Sequence, residues 1–567
     1  MIKCIKICVL TACLLTTFFT NFAQNSKKAP ALQEGVVTYS FKSNGVEMKG
    51  APPLQLFFKN NIAQLIQGNN PEKKDKQFID YNNNETYQIL TSKDGKRYTL
   101  KTPFSNYEKA ELTGETATIL GYNCKKAKVF IRSNTIEIWF TTDLKIKGTP
   151  SLSIGPDLGL ILKTVRNGNS ETYATKVDFR KITDAEASLP ADLGTIVDEP
   201  TYKRKEIDNR FTTISIFKNQ QINFTDSLKN PVTNDLENVT YRYAAGTVVL
   251  KKVNLPDSQN YSVFADLTQY SNGDAYDRTG SVFVIPTGRE ISFLDGLRKG
   301  KQVLPLYKDK QGKEYQGVVE TDNYLPPLEL MRFFTPFGVR AYNQRSQIAG
   351  YDWVDSVIYK QDITELLPAI KGEVWIGVYI GNYDGAGHTV NLDLDYYPKQ
   401  GSRARKTNWV EPIFNTLNIM EMAGQTYATM FDHDSLTVIV DIPAGLKNLT
   451  LRYITTGHGG WGNGDEFNQK LNEIFMDGKK VFDFIPWRTD CATYRMYNPS
   501  SGNFGDGLSS SDLSRSNWCP GTTTNPVYIP INNLTPGKHT FKVAIPLGKT
   551  EGSSFSSWNI SGTLIGE

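Results

Sequence analysis

Short runs in which apolar and polar residues alternate recur along the whole chain, separated by turn-forming residues. Alternation with a period of two is typical of β-strands that have one buried face. The clearest runs in the first part of the chain are Val36–Phe41, Leu54–Lys59, Lys128–Ile131 and Thr135–Phe140. Those in the later part are Thr247–Val253, Ser281–Ile285, Leu330–Phe334, Val374–Tyr379, Val390–Tyr397, Leu436–Ile442, Leu449–Thr455, Phe541–Ile545 and Trp558–Leu564. The pattern therefore predicts an all-β protein.

Two polar segments divide these strands into three groups. Residues 184–209 are charged and contain Pro190 and Pro200, and residues 399–406 are basic, so both segments are predicted to be linkers. The predicted units are a β-rich N-terminal accessory domain over 24–205, a first β-sandwich over 206–400 and a second over 401–567. We expect the two sandwiches to be antiparallel, jelly-roll-like and stacked on each other.

The first 23 residues have the parts of a secretory signal peptide. A positively charged start precedes an apolar run over residues 7–19, and cleavage is expected after Ala23. A lipoprotein anchor at Cys13 is the less favoured alternative, because the apolar run continues past that residue. We expect a secreted or periplasmic protein without stable membrane insertion, since no later stretch is apolar enough to span a bilayer.

Charge and histidine content argue against two other classes of protein. The formal net charge is +4 and there is no arginine-rich stripe, so nucleic acid is not an expected partner. The four histidines are His388, His433, His458 and His539. They lack metal-ligand spacing and no Cys-x-x-Cys pair is present, so we expect no metal or other cofactor. A monomer is expected.

The stretch 457–466 contains five glycines in ten residues, which predicts a loop whose backbone can approach a ligand closely. It carries an imidazole, an indole and two carboxylates, from His458, Trp461, Asp465 and Glu466. It follows the predicted strand Leu449–Thr455, and a hairpin with the turn Asp477-Gly478 comes after it. We therefore expect the loop at the end of a sheet, where binding and catalytic residues are common.

Four segments, in this order, resemble motifs of the peptide-N-glycosidase F family. They are Asp277-Arg278 with Gly280–Val284, Arg332–Phe337, Leu451-Arg452 followed by the loop with Glu466, and Arg515–Gly521. The resemblance covers roughly residues 211–567, which are the two predicted sandwiches. In the family, cysteines flank the second acid, whereas Asp465 and Phe467 do so here. The third acid of the family aligns near Tyr379, and the N-terminal domain is additional.

The N-terminal domain shows a separate and partial resemblance. Residues 155–161 are similar to the motif of a secreted β-rich family named for Gly-Leu-Pro-Gly-Leu-Ile, with only Gly159–Ile161 in register. That resemblance implies a β-sheet domain. No cluster of catalytic type occurs in it, so a binding or spacer role is expected.

The resemblance to the glycosidase family implies an amidase that acts on N-linked glycoproteins and glycopeptides. It would hydrolyse the bond between N-acetylglucosamine and Asn, giving Asp and a glycosylamine that loses ammonia. We expect Asp277, kept ionised by Arg278, to activate water, and Glu466 to be protonated and donate to the amide, or else to orient the substrate. The residues expected to bind substrate are Arg278, His458, Trp461, Arg515, Trp518 and Tyr379.

Three cysteines remain after removal of the leader. Cys491 and Cys519 are the expected disulfide pair in an oxidising compartment, which leaves Cys124 buried and free. We expect substitutions to be tolerated at Asp274, in the loop of Asp277, and at Asp465, in the loop of Glu466.

Two other functions fit the same residues. A carbohydrate-binding or adhesion protein without catalysis would share the secretion and the exposed aromatic residues. A glycoside hydrolase would use Asp277 and Glu466 as its carboxylate pair.

Overall fold

A computed structural model of the chain describes residues 33–68, 75–257, 259–399, 406–427, 430–432, 434–459, 464–503, 505–532, 534–547 and 556–567. The predicted signal peptide, the linker residues 400–405, His433 and Trp461 lie outside the described residues. The chain forms two compact units, Met1–Asn209 and Arg210–Glu567, called unit 1 and unit 2 below. No helix in the described ranges is long and apolar enough to cross a membrane.

Unit 1 is one large sheet. Its strands are β1 (Gly35–Ser43), β2 (Val46–Glu47), β3 (Leu54–Lys59), β4 (Ile62–Gln67), β5 (Asp75–Asp80), β6 (Glu85–Thr91), β7 (Arg97–Pro103), β8 (Glu111–Ile119), β9 (Tyr122–Ile131), β10 (Asn134–Thr141), β11 (Leu160–Arg166), β12 (Ser170–Phe179) and β13 (Thr195–Val197). The strand order is β13-β7-β6-β5-β4-β3-β1-β12-β11-β10-β9-β8, with β2 beside β1. The described residues of this part of the chain also form the helices α1 (Asp184–Ala187) and α2 (Glu199–Arg210).

The segment predicted to be the first linker is instead folded, and this part of the prediction is wrong. It contains α1, β13 and most of α2, and β13 pairs with β7 in parallel. Tyr202 of α2 is buried against Leu90 and Leu100 of the sheet. Helix α2 is rich in charged residues, and Tyr202 is its buried residue. Its sequence therefore has almost no apolar periodicity, and the pattern of apolar residues did not predict a helix.

Unit 2 contains the remaining strands. They are β14 (Thr212–Ile222), β15 (Thr240–Tyr243), β16 (Val248–Leu255), β17 (Tyr261–Ser271), β18 (Thr279–Ile285), β19 (Leu306–Lys308), β20 (Glu314–Gln316), β21 (Leu328–Phe334), β22 (Val357–Asp362), β23 (Gly372–Ile380), β24 (His388–Pro398), β25 (Trp409–Asn415), β26 (Leu436–Ile442), β27 (Thr450–His458), β28 (Asn472–Met476), β29 (Lys479–Phe484), β30 (Thr523–Thr524), β31 (Val527–Pro530), β32 (Gly537–Ala544) and β33 (Ser557–Gly566). The helix α3 (Phe293–Lys299) and several short 3₁₀ helices lie between these strands.

Four sheets of unit 2 form two sandwiches. The first sandwich packs β14-β24-β17-β22 against β15-β16-β23-β18-β21-β30, and a single core with residues from both sheets, such as Leu392 and Val378, lies between them. The second packs β25-β33-β27-β31 against β26-β32-β28-β29 around a core that includes Leu451 and Phe541. The prediction of an all-β protein with two sandwiches is confirmed.

The predicted hairpin after the glycine-rich loop is present as β28 and β29. Its turn residues Asp477 and Gly478 have φ values of 49° and 77°. Positive φ at both positions is the requirement of a two-residue type I′ turn, which explains why the Asp-Gly pair marks it.

The disulfide Cys491–Cys519 is formed, as predicted, and Cys124 is a buried free cysteine. The disulfide closes a loop with a sequence separation of 28.

Replacing both Cys491 and Cys519 with Ala should lower the free energy of unfolding by about 3–4 kcal/mol in the chain-entropy model. Denaturant titration checks this, and the wild-type chain under reducing conditions should match the double variant. An unchanged midpoint in both would contradict the expectation.

Candidate active site

Three segments of unit 2 that are distant in sequence meet at one place. Asp277 lies in the loop between β17 and β18, Glu466 lies between β27 and β28, and Arg515 precedes β30. Strand β30 pairs with β21, which in turn pairs with β18. A strand from the late part of the chain therefore extends the sheet of the first sandwich and carries Arg515 toward the loop with Asp277.

Arg515 is the centre of this cluster, and its side chain is fully buried. Its Nη1 atom lies 3.5 Å from Oδ2 of Asp277 and forms an ion pair with Oε1 of Glu466. Its Nη2 atom donates hydrogen bonds to the carbonyl oxygen and the hydroxyl of Ser510, at 2.9 and 3.2 Å. One guanidinium thus contacts both predicted catalytic acids.

Burial sets the charge states of Asp277 and Arg515. Burial raises the pKa of Asp277 to about 6, and the positive charge of Arg515 opposes that rise. Burial lowers the pKa of Arg515 to about 10, and Asp277 opposes that fall, so Arg515 is a cation at neutral pH. Oδ2 of Asp277 is buried and accepts no hydrogen bond from any described residue. At neutral pH the cluster therefore holds a carboxylate oxygen that can accept a proton.

Arg278 does not form its ion pair with Asp277, which differs from the expectation. Its Nε and Nη2 atoms donate to the two carboxylate oxygens of Asp274, at 2.8 and 3.1 Å. Asp274 is 1% exposed, and Nε2 of His388 lies 3.5 Å from its Oδ2. Burial acts to raise the pKa of Asp274, but His388 and Arg278 outweigh it and lower the pKa to about 2. Asp274 is therefore a buried anion paired with Arg278, and this environment argues against the expected tolerance to substitution.

Trp518 and His458 form the wall behind Arg515. Trp518 is only 3% exposed, and its Nε1 donates to the carbonyl oxygen of Gly457 at 2.9 Å. Its ring lies 4.2 Å from that of Phe334 and 4.5 Å from the guanidinium of Arg515. Burial, with nearby positive charge, lowers the pKa of His458 to about 3, so this ring is neutral. Trp518 therefore supports the cluster and offers no open face to a sugar.

Two exposed aromatic rings lie against Arg278, the residue that follows Asp277, and the sequence did not predict them. Tyr276 and Tyr383 are 61% and 56% exposed, and both lie against the guanidinium of Arg278, at 5.1 and 5.6 Å. The hydroxyl of Tyr383 donates to Oε1 of Glu421 at 2.9 Å. Tyr379, the position aligned with a third acid, is buried. The position of Tyr276 next to Asp277 was an available signal, whereas nothing in the sequence pointed to Glu421.

Comparison with family profiles assigns all three parts of the chain. Residues 213–396 match "Peptide-N-glycosidase F, N terminal", and residues 426–565 match "Peptide-N-glycosidase F, C terminal". Residues 37–204 match "N-glycanase peptide, N-terminal domain", which replaces the motif-based assignment of that unit.

Two solved structures of one relative extend the comparison to nearly the whole chain. PNGF-II in a P21 crystal form is 47% identical, with a TM-score of 0.86 over 94% of this chain and 99% of that one. In a C2 crystal form it is 46% identical, with a TM-score of 0.80 and coverage of 94% and 98%. The chain therefore belongs to the peptide-N-glycosidase F family, and the prediction of an enzyme of this class is confirmed.

A more distant structure is PNGase F of Flavobacterium meningosepticum, described as a glycosylasparaginase. It is 16% identical, with a TM-score of 0.41 over 63% of this chain and 96% of that one. No curated protein matches the chain significantly.

Proposed function

We propose that this protein hydrolyses the amide bond between N-acetylglucosamine and Asn in N-linked glycoproteins and glycopeptides. The observation that carries the proposal is Oδ2 of Asp277. This oxygen accepts no hydrogen bond from the described residues, belongs to a carboxyl whose pKa is about 6, and lies 3.5 Å from the buried cation Arg515. A general base works best when its pKa is near the working pH and its proton-accepting atom is available.

In the proposed reaction, Asp277 takes a proton from a water molecule as the water oxygen bonds to the carbonyl carbon of the Asn side chain. The carbon–nitrogen bond then breaks, and Asp277 gives the proton that it took from water to the leaving nitrogen, which restores the carboxylate. The products are a peptide that contains Asp and a glycosylamine, which reacts with water to release ammonia. Arg515 keeps Asp277 ionised at neutral pH and places positive charge beside the developing negative charge.

Glu466 is assigned to orienting the substrate. Its ion pair with Arg515 favours the carboxylate form, so the alternative in which Glu466 donates a proton to the amide is disfavoured. Tyr276 and Tyr383 are the exposed rings beside the site, and aromatic faces of this kind stack on sugar rings. The hydroxyl of Tyr383 donates a hydrogen bond to Glu421. Glu421 is therefore a third carboxylate near the site, after Asp277 and Glu466.

We also propose that the protein is secreted or periplasmic, and that unit 1 is an accessory domain. The signal-peptide pattern over residues 1–23 and the disulfide Cys491–Cys519 support export. The residues assigned to the reaction all belong to unit 2.

Mass analysis of a glycopeptide product in water enriched in heavy oxygen tests the reaction. The amidase converts Asn to Asp with one oxygen from solvent. A glycoside hydrolase would leave a sugar on Asn, and a binding protein would leave the glycopeptide intact. Either of those results would refute the proposal.

A chain of residues 210–567 should retain turnover of a small glycopeptide within about tenfold of the full chain, since a tenfold change corresponds to only 1.4 kcal/mol of barrier. The reason is that unit 2 is compact by itself and holds the whole cluster. The measurement is kcat on the glycopeptide, with circular dichroism to show folding. A folded but inactive unit 2 would contradict this expectation.

A further inference from the structure

The loop that carries Glu466 contains a buried carboxylate that the proposed reaction does not use. Asp465 has a side chain that is 2% exposed, although its surroundings are rich in glycine. Its Oδ2 accepts a hydrogen bond of 2.7 Å from Nε1 of Trp558. Nζ of Lys470 lies 3.7 Å from its Oδ1. Asp465 was expected to tolerate substitution, and its burial and its hydrogen bond to Trp558 argue against that expectation.

Trp558 is a fixed point, because it belongs to a strand of the core. It lies in β33, is 1% exposed, and pairs with Gly457 of β27. A Cβ atom at Gly457 would lie 2.7 Å from the indole ring and 2.9 Å from the carbonyl oxygen of Asp465. Glycine at this position thus allows the indole and the loop to approach β27 closely.

Backbone hydrogen bonds connect the same loop to the segment with Arg515. The amide of Ser516 donates to the carbonyl oxygen of Glu466 at 3.0 Å, and the amide of Gly457 donates to the carbonyl oxygen of Ser516 at 3.2 Å. Glu466 is therefore held on one side by the residue that follows Arg515, and on the other by the bond from Asp465 to Trp558. Burying an anion is costly unless it is paired, and here the pairing fixes the neighbour of a site residue.

We propose that Asp465 is a positioning residue: its bond to Trp558 sets the position of Glu466 against Arg515, and thereby the position of Arg515 against Asp277. This inference rests on the proposed amidase function. A misplacement of about 1 Å in a catalytic group can cost about 10²-fold in rate. Loss of the bond should therefore lower kcat much more than it changes KM.

The test compares four variants of the full chain. Asp465→Leu and Trp558→Phe each remove the bond and should lower kcat by about 10–100-fold, with KM within about threefold. Their combination should be no worse than the more damaged single variant, because both remove the same interaction. Asp465→Asn keeps an acceptor oxygen and should stay within about threefold of wild type.

Tyr453→Phe is the matched structural control. Its hydroxyl donates to Oδ1 of Asn472 at 2.9 Å in the core of the same sandwich, so this variant also loses one buried hydrogen bond. Its kcat should be unchanged at temperatures where it is folded. A fall in kcat equal to that of Asp465→Leu would mean that general destabilisation explains both, and would overturn the proposal.

Hydrogen exchange of the Ser516 amide gives a readout that does not depend on activity. Exchange should be faster in Asp465→Leu and Trp558→Phe, and unchanged in Tyr453→Phe. If the wild-type chain releases no glycan but this exchange pattern holds, the proposed function fails while Asp465 still fixes the loop. Unchanged kcat and unchanged exchange in Trp558→Phe would overturn the proposal, even if Asp465→Leu does not fold.

Discussion

Replacement of Asp277 by Asn should lower kcat for glycan release by about 10²–10⁴-fold, which is the usual cost of losing a general base. The Asn side chain has nearly the same shape but has no carboxylate to take the proton of the attacking water. Single-turnover release of glycan from a glycopeptide is the measurement, with circular dichroism to verify the fold.

A suitable control for this experiment is Asp257→Asn. Asp257 is an exposed acid of the first sandwich that pairs with Lys371 at 3.3 Å, and exposed ion pairs contribute little. Near-normal turnover in Asp277→Asn, or an equal loss in both variants, would show that Asp277 is not the base.

The same substitution should make the folded state more stable at neutral pH. Folding raises the pKa of Asp277 from 3.8 to about 6, because burial disfavours the carboxylate. As the pH rises through that range, Asp277 loses its proton and the folded state becomes less stable. A raised pKa of this size corresponds to roughly 2–3 kcal/mol of destabilisation above both values. The free energy of unfolding of Asp277→Asn should exceed that of the wild type by about that much above pH ~7, and should equal it below pH ~4. Chemical denaturation at the two pH values checks this expectation.

Replacement of Arg515 by Gln should have the second large effect, on both rate and pH dependence. Arg515 lowers the pKa of Asp277, so its loss should raise that pKa above about 6. The acidic limb of kcat/KM should therefore move to higher pH, and kcat at neutral pH should fall by about 10²-fold or more, as for a lost electrostatic stabiliser. Stability should also fall by about 3–5 kcal/mol, because two carboxylates lose their buried partner.

Arg452→Gln is the control that separates a loss of stability from a shift of the pH profile. Arg452 is a second buried arginine, and it donates to the carbonyl oxygens of Glu329 and Leu330 at 2.8 and 2.9 Å. This variant should be destabilised, but its acidic limb should not move. A pH profile of Arg515→Gln that coincides with wild type would refute the assigned role of Arg515.

The strands of both units could be predicted because each buries one face of alternating residues. The runs at Leu54–Lys59 and Leu436–Ile442 coincide with β3 and β26. Asp277 and Glu466 could be found from their loops and from the family resemblance, and the structure places both on Arg515.

The pairing of charges within the site could not be predicted from adjacency in the sequence. Arg278 pairs with Asp274, while Asp277, its neighbour in the chain, lies beside Arg515 from a distant segment. The burial of Asp465 could not be predicted from the sequence either, because a glycine-rich loop has no hydrophobic periodicity that distinguishes buried from exposed positions.

The pairing of β30 with β21 has a consequence for how the protein refolds. Arg515 reaches Asp277 only when a strand from the late part of the chain has joined the sheet of the first sandwich. Contacts between residues so distant in sequence form slowly, because long loops must close first. During refolding from denaturant, β structure should therefore return before catalytic competence, and the protein should pass through a stage in which most strands are formed but the site is still open.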